Sequence, residues 1–208
     1  MTTAPATHSR WLASPRRLVR LACGLWLFGV GEALLIASDL GNSPWTVLSE
    51  GVSRQTPLSI GESTIAISFA ALLLWIPLRQ RPGIGTIANA LLIGIAIDVT
   101  LAIIGRHHSA AVNVASMLLG VPVVAVGSAL YLGSYLGPGP RDGLMTGIHR
   151  RTGRPIAAIR ATLEVGAAVA GFALGGTFGP GTVWFALAIG PAVAVTLRLV
   201  GARDLHAL

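Results

Sequence analysis

The chain has 208 residues, of which 53% are hydrophobic and only 11% are charged. A soluble domain carries about a quarter charged residues, so this sequence has too few charges to cover a soluble surface. The composition predicts a multi-span membrane protein folded as one helical bundle. The net charge of +7 requires no nucleic-acid partner, because attraction to anionic lipid head groups at the cytoplasmic face accounts for it.

Six stretches are long enough to cross the bilayer, since about 20 apolar residues span about 30 Å of hydrocarbon. Arg16, Arg17 and Arg20 lie just before or at the start of the first stretch, as they would in a signal peptide, but the stretch is of membrane length and no cleavage site follows. We therefore predict an all-α bundle of six spans. They lie at 18–38, 60–78, 84–104, 112–135, 157–176 and 180–199.

The sequence repeats itself at an offset of 96 residues. Without a gap, 29–101 overlays 125–197, and about 26 of the 73 aligned pairs are identical. Matching glycines and prolines, such as Pro44 with Pro140, are more telling than matches between apolar residues. Because each copy holds three spans, the second copy must enter the membrane from the opposite side. The prediction is a 3+3 inverted-topology repeat with a pseudo-two-fold axis in the membrane plane.

The arginines predict the orientation of the bundle. All fifteen basic residues are Arg, and with a cytoplasmic N-terminus only Arg54 and Arg106 fall on the outer side. This split of thirteen against two follows the positive-inside rule, so we expect both termini in the cytoplasm. The predicted organisation is a flexible N-terminus, two three-span repeats and a cytoplasmic tail. Their bounds are 1–15, 16–106, 107–201 and 202–208.

Each repeat has a short helix predicted between its first and second spans. The copies read LGNSPWTVLSEGVSRQT and LGPGPRDGLMTGIHRRT, and Pro44 or Pro140 suits the first helical position. About eleven helical residues would follow, roughly 16 Å, which is too short to span. An amphipathic helix lying in the interface and a re-entrant half-helix both fit. In the second case the positive N-terminus would point into the bundle and could hold an anionic group.

The copies differ in charge where this short helix begins, because Trp45-Thr46 is replaced by Arg141-Asp142. We hypothesise that residues 140–151 form a helix whose first turn borders the cytoplasmic entrance of a central site. A plain interfacial helix remains the alternative. Topology would then account for Arg141, and compensation of the helix dipole would account for Asp142.

A charge inside a predicted span is costly and suggests a site, and the candidates are four residues: Glu32, Asp98, Arg160 and Glu164. Glu32, near the middle of its span, could bind a cation, exchange a proton or pair with Arg160 across the bundle. Arg160 and Glu164 are four residues apart and can neutralise each other on one helix face. Asp98 lies late in its span and could be a buried ligand or simply solvated. With the two charged residues that open the second short helix, these four are the candidate substrate or ion site.

Several motifs resemble the bacterial YczE/YitT-like family of small integral membrane proteins. They are the G-P-R-D-G-L-M stretch at 139–145, the R-x-x-x-E pair at 160–164 and G-x-G-T-V at 179–183. The first half, with LGNSPWTVLSEGVS and GIGTIAN, is similar too, so the resemblance covers roughly residues 20 to 200. It implies a multi-pass protein of the bacterial cell membrane and says far less about mechanism.

Enzyme motifs are absent from the sequence: it has no nucleophile elbow, zincin helix, Walker loop or C-x-x-C. The His107-His108 pair lies in a predicted outer loop without an acidic neighbour. We expect no catalytic residue, cofactor or metal. Two functions remain, a small-solute transporter or exporter and a membrane scaffold that supports partner enzymes or product delivery. A transporter should have its intramembrane charges on a polar cavity, whereas a scaffold should have them paired and shielded from water. The sequence leaves open whether the protein forms oligomers.

Overall fold

The computed structural model describes residues 10–11, 13–106 and 109–200. The predicted tail at 202–208, the His107-His108 pair and most of the predicted N-terminal segment 1–15 lie outside these residues. Within them the fold consists of helices and connections, without a strand. The helices are α1 (Pro15–Ser38), α2 (Pro44–Gln55), α3 (Ile60–Leu78), α4 (Ile84–Ile104), α5 (Ala110–Leu132), α6 (Pro140–Thr152), α7 (Ile156–Ala173) and α8 (Pro180–Leu199).

Six of these helices are long and apolar enough to cross a membrane, and they correspond to the six predicted spans. The second, third and sixth spans begin and end at the predicted residues. The fifth ends earlier than predicted, at Ala173, because Gly175 takes a positive φ of 95° that ends the helix. The all-α, multi-span prediction is confirmed at this level.

The two short predicted helices are α2 and α6, of 12 and 13 residues, and each has proline at its start. Gly41 and Gly137 lead into them with φ values of 117° and 121°, which residues with a side chain rarely adopt. Proline then presets the helical φ, and it has no N–H group to leave without an acceptor in the first turn. The same local signals therefore produce the same entry twice.

Close contact between α1 and α5 forms the centre of the bundle. Gly24 lies against Gly127, and Gly31 lies against Gly120, so the two helices run in opposite directions. A β-carbon at any of these positions would collide with the facing helix. Glycine is needed here because the absence of side chains lets two backbones approach closely.

The connection before each short helix is fixed by a backbone hydrogen bond to a distant helix start. Gly181 N–H donates to Leu40 C=O at 2.8 Å, and Gly85 N–H donates to Leu136 C=O at 2.9 Å. Gly85 lies 96 positions before Gly181, and Leu40 lies 96 positions before Leu136, so the two bonds join matching residues. Reciprocal contacts of this kind also relate the glycines of α1 and α5.

The second and third spans of the two halves pack differently. In the first half α3 lies along α4, with Gly61 against Gly94. In the second half α7 and α8 make almost no contact within the described residues. Gly190, the counterpart of Gly94, faces open space. The second half is therefore open between α7 and α8, and both helices contribute residues to the wall of a central cavity.

Candidate functional site

A central cavity of about 170 Å³ lies where the N-terminal ends of α2 and α6 meet. Trp45 and Arg141 line it from these helices, and α1, α4, α5, α7 and α8 complete the wall. Several pairs of wall residues are 96 positions apart, for example Phe28 with Val124 and Trp45 with Arg141. The cavity therefore draws on equivalent positions of both halves.

Arg141 is the cation at the centre of the cavity. Its guanidinium carbon lies 5.1 Å from the centre of the Trp45 ring, within cation–π range. Within the described part of the chain, no hydrogen bond or ion pair holds this guanidinium group. A guanidinium group has five N–H donors, so Arg141 offers an anion-binding group to whatever enters the cavity.

Glu32 lies directly behind the start of α2 and is almost completely buried, at 1% exposure. Its Oε2 atom accepts hydrogen bonds from Ser43 Oγ and Thr46 Oγ1, both at 2.8 Å. Its Oε1 atom is buried without a hydrogen-bond partner. Among the described residues, no ion pair joins Glu32 to Arg160. The charge of Arg141 acts on Glu32 through space.

Asp142 lines the cavity and accepts a hydrogen bond from Tyr131 Oη at 2.6 Å. The first turn of α6 thus presents both a cation and a carboxylate to the cavity, at residues 141 and 142. A carboxylate in the first turn also offsets the helix dipole, which favours the helix start at Pro140. The turn lies on the central cavity, and its place at a cytoplasmic entrance stays a prediction.

Arg160 and Glu164 stand on the wall that α7 contributes to the cavity. They form an ion pair between Nε and Oε1 at 2.8 Å, on one face of the helix. Their side chains are 48% and 28% exposed. The pair is therefore neutral overall, and it is partly exposed on the cavity wall.

Asp98 lies away from the cavity and holds the start of α3. It accepts hydrogen bonds from Ser59 Oγ at 2.5 Å and from Gly61 N–H at 2.9 Å. A carboxylate on the free N–H groups of a helix start is a stabilising cap. Among the six candidates, Asp98 is thus the one that the fold does not bring to the central site.

Sequence reasoning missed Glu50, which lies near the middle of α2, does not line the cavity and is 2% exposed. Its carboxylate accepts hydrogen bonds from Arg54 at 2.9 Å, Arg106 at 3.1 Å and the Thr177 N–H at 2.8 Å. Burial alone would raise the pKa of Glu50, but these donors outweigh it and lower the pKa. The four-residue spacing to Arg54 was a signal for this cluster, whereas Thr177 is 127 residues away.

Metal binding finds no support in the described residues, where no group of three His, Cys, Asp or Glu side chains could hold an ion. The usable chemistry of the cavity lies elsewhere. It consists of a guanidinium group without an acceptor, two helix N-termini and an aromatic wall, and the Glu32 carboxylate with its unpartnered oxygen lies behind the start of α2.

These features define a class, a multi-pass α-helical membrane protein with a charged cavity at the centre of the bundle. The chain belongs to the family of unknown function DUF6198, whose model matches residues 15–198.

Two curated relatives match most of the chain. An uncharacterized protein of Haemophilus influenzae is 39% identical over 198 residues, covering 95% of this chain and 91% of that protein. The uncharacterized membrane protein YczE of Bacillus subtilis is 31% identical over 186 residues, covering 87% and 82%. The resemblance to YczE is thereby confirmed. No solved structure matches the chain.

Proposed function

We propose that this protein is a carrier, not an enzyme, and that it moves a small solute through the central cavity. The observation that carries the proposal is the unpaired Arg141 guanidinium group in a cavity between two helix N-termini. A charge in a bundle interior is costly unless it serves a ligand, a relay or a partner. Transporters commonly hold their substrates near the midplane, between half-helices that meet at the interface of two repeats.

We further propose that the two halves form an inverted repeat. Three observations support this relation. Helices α2, α3 and α4 begin 96 residues before α6, α7 and α8. The central helices α1 and α5 run in opposite directions. Contacts between the halves are also reciprocal, as contacts across a two-fold axis are. Gly24 contacts Gly127, and their counterparts Gly120 and Gly31 contact each other.

Within this repeat, α2 and α6 act as re-entrant half-helices. The first turn of α2 contacts Glu32 in the interior of the bundle, whereas Gln55 at its end donates to Leu174 C=O, just past the end of α7. The chain therefore dips into the bundle at residues 39–43 and returns along α2. An interfacial helix would have no reason to bring Ser43 and Thr46 to a buried carboxylate.

The proposed orientation has both termini in the cytoplasm, with the basic end of α6 facing anionic lipid. Arg150 and Arg151 lie at that end and are exposed. Gln55→Cys and Gln80→Cys, each in a Cys23→Ser background, test the orientation with a membrane-impermeant thiol reagent. We expect labelling of position 55 from outside and of position 80 only from inside. The reverse pattern refutes the orientation.

The competing function is a scaffold that does not transport. The accessibility of cavity residues to a thiol reagent from each side of the membrane distinguishes the two functions, and this test needs no known substrate. Ser128 lines the cavity, and Ser63 is a buried serine of α3 that does not. If the protein alternates access, Ser128→Cys in the Cys23→Ser background will react with impermeant reagent added from either side. The matched control Ser63→Cys should react from neither. Labelling of position 128 from one side alone, or not at all, favours the scaffold.

A further inference from the structure

We propose that the carrier binds a small organic carboxylate at Arg141 together with one proton at Glu32 Oε1. This inference rests on the proposed function, since it names the substrate class and the coupling ion of the same cavity. Three features support it: the cavity, the unpaired guanidinium group and the unpartnered carboxylate oxygen.

The anion end of the site is Arg141 with the two helix starts. Helices of 12 and 13 residues begin at Pro44 and Pro140, and both N-terminal ends border the cavity. Their partial positive charges add to that of Arg141 and favour a negative ligand. Asn89 on α4 offers a further amide group to the ligand. The anion would supply the acceptor that Arg141 lacks in the described chain.

The size and the wall of the cavity indicate an organic anion. An apolar cavity of about 150 Å³ accommodates benzene, which has six non-hydrogen atoms, so about 170 Å³ suits a ligand body of roughly seven. Phe28, Trp45, Val124 and Phe185 give the wall an apolar, largely aromatic character. A carboxylate on a compact apolar body fits both the wall and the guanidinium group.

The proton end of the site is Glu32. Its Oε2 atom already accepts two hydrogen bonds, whereas Oε1 is buried and accepts none. A buried acceptor without a partner is costly, and a proton on Oε1 removes the negative charge that makes it so. The proton comes from water on one side of the membrane and leaves to water on the other.

Charge balance couples the two ligands. The titratable groups of the site are Glu32 on α1, the Tyr131 hydroxyl on α5, Arg141 and Asp142 on α6, and Arg160 and Glu164 on α7. Of these, the charge of Arg141 acts on Glu32. With all acids ionised and Tyr131 neutral, two cations and three carboxylates give the empty site a net charge of −1. An anion alone would bring this to −2, whereas an anion with a proton on Glu32 leaves it at −1. Each ligand therefore strengthens the binding of the other by the same factor.

The test measures proton uptake on binding. The purified full chain in weakly buffered detergent solution is titrated in a calorimeter with benzoate, benzenesulfonate, acetate, chloride and phosphate, while a pH indicator follows protons. We expect benzoate and benzenesulfonate to bind with uptake of close to one proton per anion. Their affinity should fall roughly tenfold per pH unit once Glu32 is ionised in the free protein. Anion binding without proton uptake, binding of none of the five, or preference for chloride or phosphate overturns the proposal.

Two variants assign the roles. Glu32→Gln should still bind benzenesulfonate but take up no proton and lose the pH dependence. Arg141→Gln should weaken binding by more than about 30-fold, because it removes the charged partner of the anion. Arg141→Lys keeps a positive charge and should retain part of the affinity. Arg150→Gln, on the same helix but away from the cavity, is the matched control and should behave as the unaltered protein. Proton uptake by Glu32→Gln, or unchanged binding by Arg141→Gln, refutes the assignment.

The labelling and the binding experiments can fail separately. Two-sided labelling of Ser128→Cys without anion-linked proton uptake leaves a carrier for another solute and refutes the substrate class named here. Anion and proton binding with one-sided labelling leaves a receptor or scaffold that does not transport.

Discussion

The two halves of the bundle share one order of helices but place different polar residues at matching positions. In α1 and α2 the acid is Glu32 on the long helix and a hydroxyl, Thr46, lies on the short one. At the counterparts in α5 and α6 the hydroxyl is Ser128 and the acid is Asp142. The shared order of helices supplies the positions, and the residues that differ supply the chemistry.

A second difference concerns the outer helices. Gly61 and Gly94 let α3 and α4 pack, and Thr64 and Ser68 are buried in α3. Their counterparts in α7 are Arg160 and Glu164, which stand on the cavity wall. One half thus serves as a packed support, and the other half leaves an opening. Matched substitutions in the two halves test this division.

Substitutions at Gly94 and at its counterpart Gly190 should show the largest difference in stability between the two halves. A β-carbon at Gly94 would collide with the Gly61 carbonyl oxygen, whereas nothing lies near Gly190. We expect Gly94→Ala to destabilise the protein by about 2–3 kcal/mol, because the backbones must separate. Gly190→Ala should be neutral or gain up to about 1 kcal/mol in helix propensity. Thermal unfolding in detergent measures both, and equal effects would mean that α3 and α4 are no better packed than α7 and α8.

Glu50 and its counterpart Thr146 should show the next largest difference. Glu50→Gln removes charged hydrogen bonds to Arg54 and Arg106, and we expect a loss of roughly 1.5–3 kcal/mol. Thr146→Val, which removes one hydrogen bond to Gly143 C=O, should cost less than about 1.5 kcal/mol. Comparable melting temperatures for the two variants would contradict the special role of this cluster in the first half.

The pH dependence of stability gives a separate reading on Glu50. Its folded-state pKa lies below the ordinary value of 4.5, so the folded state holds this proton more weakly than the unfolded state. The contribution is therefore complete above about pH 4.5 and is lost as the pH falls toward the folded-state pKa. The difference in melting temperature between the unaltered protein and Glu50→Gln should shrink below that pH. A difference that stays constant throughout the acid range would contradict it.

Asp98 has no acidic counterpart, since Ala194 takes its place in the second half. Asp98→Asn should cost about 1 kcal/mol by weakening the cap on α3 at Ser59 and Gly61. Because Asp98 lies away from the cavity, the variant should bind benzenesulfonate with unchanged affinity in calorimetry. A change in affinity would return Asp98 to the candidate site.

The smallest expected effect on stability is that of the Arg160–Glu164 pair. Replacing both with Gln should change the free energy of unfolding by less than about 0.5 kcal/mol, because the pair is partly exposed and spaced i,i+4 on one helix. Thermal unfolding of the double variant checks this. A loss of several kcal/mol would mean that the pair holds α7 in place and that the second half is no more open than the first.

Local features of the sequence determined the helices and their order. Apolar runs of membrane length predicted the six spans, and proline after a glycine-rich turn predicted α2 and α6 to within one residue of their ends. The 96-residue offset also identified which positions correspond. These features are readable because the residues involved are neighbours in the chain, and helix hydrogen bonds connect residues only about four apart.

Only the tertiary structure decided which charges meet. Three open questions about the candidates were of this kind: whether Glu32 pairs with Arg160, what surrounds Asp98, and whether the second short helix borders a cavity. The spacing of Glu50 to Arg54 was readable, but its burial and its contacts with Arg106 and Thr177, 56 and 127 residues away, come from tertiary packing. The opening between α7 and α8 was equally invisible, since both helices are apolar runs of membrane length like α3 and α4. Pairings between distant residues depend on how whole helices pack, and a single sequence carries no direct signal for that packing.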